Sequence, residues 1–245
     1  MKLLNCRLLS ALSLAITLPA GVSLAQDSTE ELIERLRGQS GNTESTGGDF
    51  SGFQTRGLST RSISAPATTS ETRSLYFSTR GLPKSIQVAA EEDTVALSKT
   101  TAKASTGAGD YSVAAGEEAI EVKYSVDPES KVTKDNILFK KGSAEFADEG
   151  SFQVVAQLAR ALKDPSLAKL KYVIEGHASA EGSAYANQEL SQRRAERIVS
   201  VLGSLGVNAS RLLPLGFGET QARFPAHSEE YMLKQDRRVL IFRLD

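Results

Sequence analysis

From about residue 119 onward the apolar positions of this chain recur with two different periods. Ile120-Glu121-Val122-Lys123-Tyr124-Ser125-Val126 alternates residue by residue, which is the period of a strand with one buried face. Ile137-Leu138-Phe139 is a second apolar run, closed by Lys140-Lys141-Gly142. Between Asp148 and Lys163 the period lengthens: Phe152, Val155, Leu158, Ala159 and Leu162 fall on one side of a helix, and Pro165 follows its end. Leu170 to Ile174 reads as a strand, and a Gly- and Ser-rich loop separates it from a longer helix. On that helix Asn187, Leu190 and Arg194 share a face that continues through Ile198, Val201 and Leu205, with Gly206 as the stop. Arg211 to Gly218 reads as a short strand entering a turn, and Arg238 to Leu244 as the last strand. Strands alternating with two main helices predict an α/β class domain, an α+β sandwich whose helices cover one face of the sheet.

The first 116 residues lack such periodicity, apart from two short stretches. Met1-Lys2 and Arg7 precede an apolar run from Leu8 to Leu18, Pro19 and Gly21 break it, and Ser23-Leu24-Ala25 supplies small residues. That order predicts a signal peptide over 1–25, removed on export. Ser28-Thr29-Glu30-Glu31 has the form of a capping box, Leu32, Ile33 and Leu36 make a narrow stripe, and Gly38 supplies a stop. A helix over 26–38 of about ten residues is too short to stand alone. It is either a fraying turn, the preferred expectation, or a segment that folds onto a partner. Residues 39–116 are rich in Ser, Thr, Gly and Ala and are expected to be a largely disordered, flexible linker, with short strands at 87–90 and 95–97 as its only elements. The folded domain then occupies 117–245.

Charge and cysteine content narrow the function classes. The whole chain has 29 basic and 30 acidic side chains. Without Lys2 and Arg7 the exported part carries a net charge of −3, which does not suit a nucleic-acid binder. The single cysteine, Cys6, lies ahead of the apolar run, so it is expected to leave with the signal peptide. The remainder can form neither a disulfide nor a thiolate metal site, and no cofactor is expected. Cys6 is also misplaced for lipid attachment, which predicts a periplasmic protein, soluble or held at the outer membrane or wall, that is not a lipoprotein. No later segment has the length of a transmembrane span.

Arg194 is the most informative single residue. A guanidinium at the head of a core-facing stripe needs an anion, because an unpaired buried charge is costly. That anion is either an internal carboxylate from Glu175, Glu181 or Glu219, or a ligand. Asn187 shares the face and is either an ordinary polar residue of the first helical turns or a second binding group. Leu190 reads as core or contact. His177 is one of only two histidines, so a metal site is not expected. A His177–Ser179 pair would lack the third orienting group and oxyanion donors that hydrolysis needs, so an enzyme is not expected and His177 reads as a structural hydrogen-bonding group. Arg237 and Arg238 read as solvated charges at a strand end.

Several short motifs occur together: Ile137-x-Phe139-x-x-Gly142-Ser143-Ala144, Glu175-Gly176-His177, Gly182, Asn187-x-x-Leu190-Ser191-x-x-Arg194-Ala195, Gly206-Val207, Gly216-x-Gly218-Glu219 and Arg237-Arg238-Val239. In this order and spacing they resemble the OmpA-like C-terminal domain, the peptidoglycan-associating module of Gram-negative envelope proteins, over residues 137–243. The resemblance implies a mixed sheet and a domain that grips the diaminopimelate of a peptide stem without covalent chemistry. It further implies that Arg194 holds a stem carboxylate; Asn187 and Leu190 are candidates beside it because they share its helix face. The family's ammonium-binding Asp is replaced here by Ser179, a loss on the order of 1–3 kcal/mol for a charge-assisted bond, unless Glu181, two residues on, supplies the charge. The family also often carries an Asp at the Gly142 position and an Asn at the Asp236 position. The alternative is an interaction module of the same fold, with weakened diaminopimelate binding, that docks an envelope protein.

Overall fold

The computed structural model describes residues 28–38, 70–78, 82–101 and 118–245. In chain order the elements are α1 (Thr29–Arg37), β1 (Glu71–Ser78), α2 (Lys84–Glu91), β2 (Ala96–Thr101), β3 (Glu118–Lys134), α3 (Glu149–Leu162), β4 (Tyr172–Gly176), α4 (Ala184–Ser204), β5 (Leu212–Gly216), α5 (Glu230–Asp236) and β6 (Val239–Leu244). The sheet runs β1-β3-β6-β4-β5, with β2 also on β3. Only β4 and β5 are parallel; the other pairs are antiparallel, so the sheet is mixed.

The length of β3 is what joins the two halves of the sheet. Its first half, through Val126, pairs with β1 on one edge and β2 on the other, and its second half pairs with β6. The register shifts between Asp127 and Val132, where Pro128 can donate no ladder bond. Asp127 and Ser130 close this bulge: Glu129 N–H donates to Asp127 Oδ1 at 2.9 Å and Ser130 Oγ to the Asp127 carbonyl at 2.6 Å.

Alternation along the strands then builds two cores. Val132, Tyr172, Ile174, Leu212, Val239 and Ile241 face α1, α3 and α4. The opposite residues, Val173, Leu213, Leu215, Leu240 and Phe242, face Leu75 and Phe77 of β1 and Ile86 and Ala89 of α2. The mixed α+β architecture agrees with expectation. The cover on the second face does not come from the two main helices, and it was not anticipated.

That cover is built from the segment expected to be linker. Residues 71–78, 84–91 and 96–101 form β1, α2 and β2 instead. Residues 87–90, expected to be a strand, lie in α2, whereas 96–101 are a strand. The segment is poor in large apolar residues, and four of those it has, Leu75, Phe77, Ile86 and Val95, are buried. They gain their stability from a ready-made apolar sheet face rather than from one another. The expected signal peptide over 1–25 lies outside the described residues, as do 39–69, 79–81 and 102–116 of the expected linker.

The preference for a fraying N-terminal turn is corrected. Leu32 and Leu36 of α1 are fully buried against α3 and β3. Ser28 Oγ accepts from Glu31 N–H at 3.1 Å, as the capping pattern predicts. At the other end Gly38 takes a left-handed φ of 75°, and a Cβ there would stand 1.9 Å from Asp127 Oδ2. The Tyr172 hydroxyl donates to the Leu36 carbonyl at 3.2 Å, Arg243 donates to the Arg37 carbonyl, and Arg243 pairs with buried Asp127 at 2.7 Å. A helix too short to survive alone is thus held by burial and by donors on its last carbonyls. One position in α3 also differs: Phe152 is exposed and Val154 is buried in its place. Ser151 turns inward, donor to Asp148 and acceptor from Leu138 N–H at 2.8 Å, which sets the stripe at 151, 154, 155 and 158.

The close approach of α4 to the sheet depends on glycine. Gly176 and Gly216 are register partners on β4 and β5. A Cβ on Gly216 would lie 2.3 Å from Gln192 N, and one on Gly176 2.5 Å from the Ser191 carbonyl. Gly216→Ala should therefore lower stability by about 3 kcal/mol, because backbone must move against backbone. Gly150→Ala, in α3 with only a 3.4 Å contact to Asp148, should be neutral or stabilising. Urea unfolding of the two variants checks the contrast.

Candidate functional site

The helix α4 carries the candidate residues, and its polar inner face fastens it to β5. Gln192 accepts from Gly216 N–H at 2.7 Å and donates to the Pro214 carbonyl at 3.1 Å. Gln188 donates to the Gly216 carbonyl, and Ser191 Oγ accepts from Gly218 N–H at 2.8 Å. These side chains take the place of a neighbouring strand, so the edge of β5 is blunted and the helix cannot slide along it. Asn187 and Arg194 are both displayed from this fixed face, and both are buried to 7% relative exposure.

Arg194 meets none of the carboxylates proposed for it. Its Nε donates to the Ser143 carbonyl at 3.0 Å and its Nη2 to the Lys140 carbonyl at 3.4 Å. The guanidinium lies 5.0 Å over the Phe139 ring. It thereby fastens the turn between Phe139 and Phe146, which pair as an isolated bridge around Gly142 at φ 65°. Glu175 pairs with Arg73, Glu181 with Arg237, and Glu219 accepts from Asn187. The internal ion-pair alternative is thus excluded by where those three side chains sit. A guanidinium has five N–H donors, and two are used among the described residues. Burial, with repulsion from neighbouring Arg237, pulls the Arg194 pKa down to about 10. No carboxylate among the described residues offsets that loss of solvation.

The loop after β4 stands opposite. Asn187 Nδ2 lies within hydrogen-bond distance of the Ser179 carbonyl (3.2 Å), the Glu181 carbonyl (2.9 Å) and Glu219 Oε2 (2.5 Å). Asn187 therefore shapes the loop from Ser179 to Gly182. Ser179 is buried and donates to Glu181 Oε2 at 3.1 Å. The same carboxylate oxygen lies 3.4 Å from Arg237 Nη1, and Arg237 also pairs with Glu230. Glu181 thus places a carboxylate on the Ser179 hydroxyl. Leu190 is half-buried and belongs to neither core. Arg237, read from the sequence as a solvated charge, joins the candidate cluster through Glu181. It reaches Glu181 across 56 positions, and its only sequence signal is the Arg237-Arg238-Val239 motif. A cavity of about 180 Å³ lies elsewhere, between α2 and the β5 end near Val88 and Leu213, and the Arg194 site does not share it.

Comparison with known proteins is decisive at the level of the domain. Residues 138–234 match the sequence profile of the OmpA family. This part of the chain is an OmpA-like domain. The peptidoglycan-associated lipoprotein of Buchnera aphidicola subsp. Baizongia pistaciae (strain Bp) is 27% identical over 108 residues, covering 42% of this chain. The chain spans 62% of that relative's length. Among solved structures, the peptidoglycan-associated lipoprotein from Burkholderia pseudomallei is similar at 23% identity and a TM-score of 0.40, over 48% of this chain and 93% of its own. A putative MotB-like protein from Desulfovibrio vulgaris is similar at 27% identity and a TM-score of 0.40, over 49% of this chain and 78% of its own. The periplasmic domain of Helicobacter pylori MotB follows at 24% identity and a TM-score of 0.38, over 46% and 74%.

Within the OmpA-like domain a second polar cluster underlies the same loop. Glu175 is fully buried; its Oε1 accepts from the Tyr124 hydroxyl at 2.6 Å and pairs with Arg73 at 3.0 Å. His177 stacks on Phe217 at 5.1 Å, with Nε2 3.4 Å from Glu175 Oε2. Neither ring nitrogen has a hydrogen-bond partner among the described residues, so the expected structural hydrogen bond is not formed. No bond joins His177 to Ser179, whose hydroxyl is turned to Glu181. Asp236 is also fully buried and accepts from Arg223 N–H and Phe224 N–H, both at 3.0 Å, with Arg238 3.6 Å away. No group of three His, Cys, Asp or Glu side chains among the described residues is arranged to hold a metal.

Burial pushes His177 below the ordinary imidazole value; Glu175 opposes this, and Arg238 and Arg73 add to it. The folded protein therefore resists a proton that the unfolded chain accepts near pH 6.5. By linkage the stabilisation is complete above about pH 6.5 and is lost as the pH falls below it. Urea unfolding between pH 7.5 and 5 should show this decline, and His177→Phe should flatten it.

Proposed function

We propose that the OmpA-like domain associates non-covalently with peptidoglycan, with Arg194 holding a carboxylate of the peptide stem. The observation that carries this reading is the Arg194 guanidinium itself: buried, unpaired with any carboxylate among the described residues, flanked by a second arginine, and with donors to spare. An anion of planar, forked shape completes such a site. Diaminopimelate places an ammonium beside its carboxylate on one carbon, and Glu181, seated on Ser179, is the group that meets it. Ser179 then acts through Glu181 rather than as a direct substitute for an aspartate. Asn187 holds the loop that presents both, and Leu190 offers an apolar rim. The relative from Buchnera aphidicola is by its name peptidoglycan-associated, which supports the same ligand.

No step of this reading makes or breaks a covalent bond, and no cofactor enters it. The protein acts in the periplasm, exported by the 1–25 leader. Two of the relatives are named as lipoproteins; Cys6 here precedes the apolar run, and on that placement we read the exported chain as unlipidated, at the wall or outer membrane. No helix among the described residues is long and apolar enough to cross a membrane.

Co-sedimentation with purified peptidoglycan sacculi tests the proposal. Wild-type protein should sediment, and Arg194→Ala should lose at least about tenfold in affinity, a cost of roughly 1.4 kcal/mol or more. Arg194→Lys, which keeps the charge without the fork, should recover only part of it. Glu181→Gln should weaken binding, and Arg193→Ala, on the exposed flank and paired with Glu189, should leave it unchanged. Binding by Arg194→Ala equal to wild type would remove the site. Absence of wild-type sedimentation would remove wall binding and leave the envelope-protein module as the surviving reading.

A further inference from the structure

Arg73 stands 65 residues ahead of the segment that matches the OmpA family, yet its side chain ends inside that domain. It projects from β1 with 11% relative side-chain exposure. Its guanidinium lies 4.8 Å over Phe242 and 5.5 Å over Phe217. Its Nε is 3.0 Å from Glu175 Oε1, and its Nη2 donates to Gln221 Oε1 at 3.3 Å.

These contacts reach both loops that flank Asn187. Glu175 lies two residues before His177, the residue at which β4 passes into the 177–182 loop. Alternation puts Glu175 and His177 on the same face, with Gly176 between them facing α4. Gln221 lies two residues after Glu219, which accepts from Asn187. Resting on the wall-binding reading above, we propose that Arg73 is a positioning residue for the peptidoglycan site, holding the 177–182 and 217–221 loops in register through Glu175 and Gln221.

The physical reason is the charge on Glu175. With Arg73 in place, that buried carboxylate has a cation and a phenol. Without it, only Tyr124 remains in hydrogen-bond contact, and the cations within reach are His177, once protonated, and Arg238. Turning the His177 ring toward Glu175 would take it off Phe217 and drag the backbone that carries Ser179. His177 N–H donates to the Arg238 carbonyl at 3.0 Å and Ala178 N–H to the Gly218 carbonyl at 2.8 Å, so a shift there is passed to both loops. A segment outside the matched domain thus sets the geometry of the site within it.

The test compares full-length wild type, Arg73→Met, Arg73→Lys and the double variant Arg73→Met/Glu175→Gln. The readouts are sacculus binding, amide chemical shifts of residues 177–182 and 219–221, and NMR pH titration of the His177 ring, with exposed His227 as internal reference. Arg73→Met should raise the pH at which His177 titrates, shift both sets of amides and weaken sacculus binding several-fold, on the order of half to one decade. Arg73→Lys should restore the His177 titration and part of the binding. If Arg73→Met does not fold, the double variant, which buries no charge, carries the test through the same amide shifts and weakened binding. Unchanged amides and an unchanged His177 titration in the folded variant would overturn the proposal. Failure of wild type to sediment would count against the wall-binding reading alone, because the NMR readouts need no ligand.

Discussion

The site depends on how closely the backbone of α4 lies on β4 and β5. Gly176 and Gly216, opposite one another in the parallel pair, leave no side chain between the sheet and Ser191–Gln192. Into that space the helix inserts amides and a hydroxyl, which satisfy the outer edge of β5 as a sixth strand in the row would have done. The helix is therefore fixed in rotation and in height. That is why Asn187 can clamp one loop while Arg194, two turns further on, fastens another. A looser helix–sheet contact through ordinary apolar side chains would hold the helix without fixing the position of a guanidinium to hydrogen-bond accuracy.

Charge placement is organised around the same contact. Glu175, Asp127 and Asp236 are fully buried, and each has an arginine partner: Arg73, Arg243, and Arg223 with Arg238. The Glu175–Arg73 and Asp127–Arg243 pairs tie segments distant in sequence, and loss of the arginine would leave a buried charge uncompensated. Arg194 differs from these: it is a buried cation given carbonyls and an aromatic face but no acid among the described residues. The proposed ligand site rests on this contrast with the three fully buried acids, each of which has its arginine.

Much of the domain was legible because its periodicities are local. The strands at 172–176, 212–216 and 239–244 and the helices α3 and α4 follow from spacing, and the joint occurrence of short motifs pointed to the family. What was missed is non-local. The segment now forming β1, α2 and β2 has few apolar residues and gains its order from a sheet face assembled by residues 120–242, which no window along the chain contains. Phe152 and Val154 exchanged places because Ser151 is drawn inward by Asp148 and the 138 backbone. The candidate site was half legible: the burial of Arg194 follows from its place on the core-facing stripe, but its acid partners were guessed from proximity along strands and loops. The Glu175–Arg73 and Glu181–Arg237 pairs that remove them bridge 102 and 56 positions. The placement of Glu181 on Ser179 could not be read from sequence, since it depends on Asn187 turning the loop.

The most direct measurement of the central claim is an NMR titration with a diaminopimelate-containing muropeptide, following arginine side-chain Nε–H signals, glutamate carboxyl carbons and backbone amides. The account predicts saturable shifts at Arg194 Nε–H, at the Glu181 carboxyl carbon and at the amides of residues 179–182, with the Arg193 and Arg197 signals unmoved. Saturable binding that left Arg194 and the 179–182 loop unperturbed would contradict it.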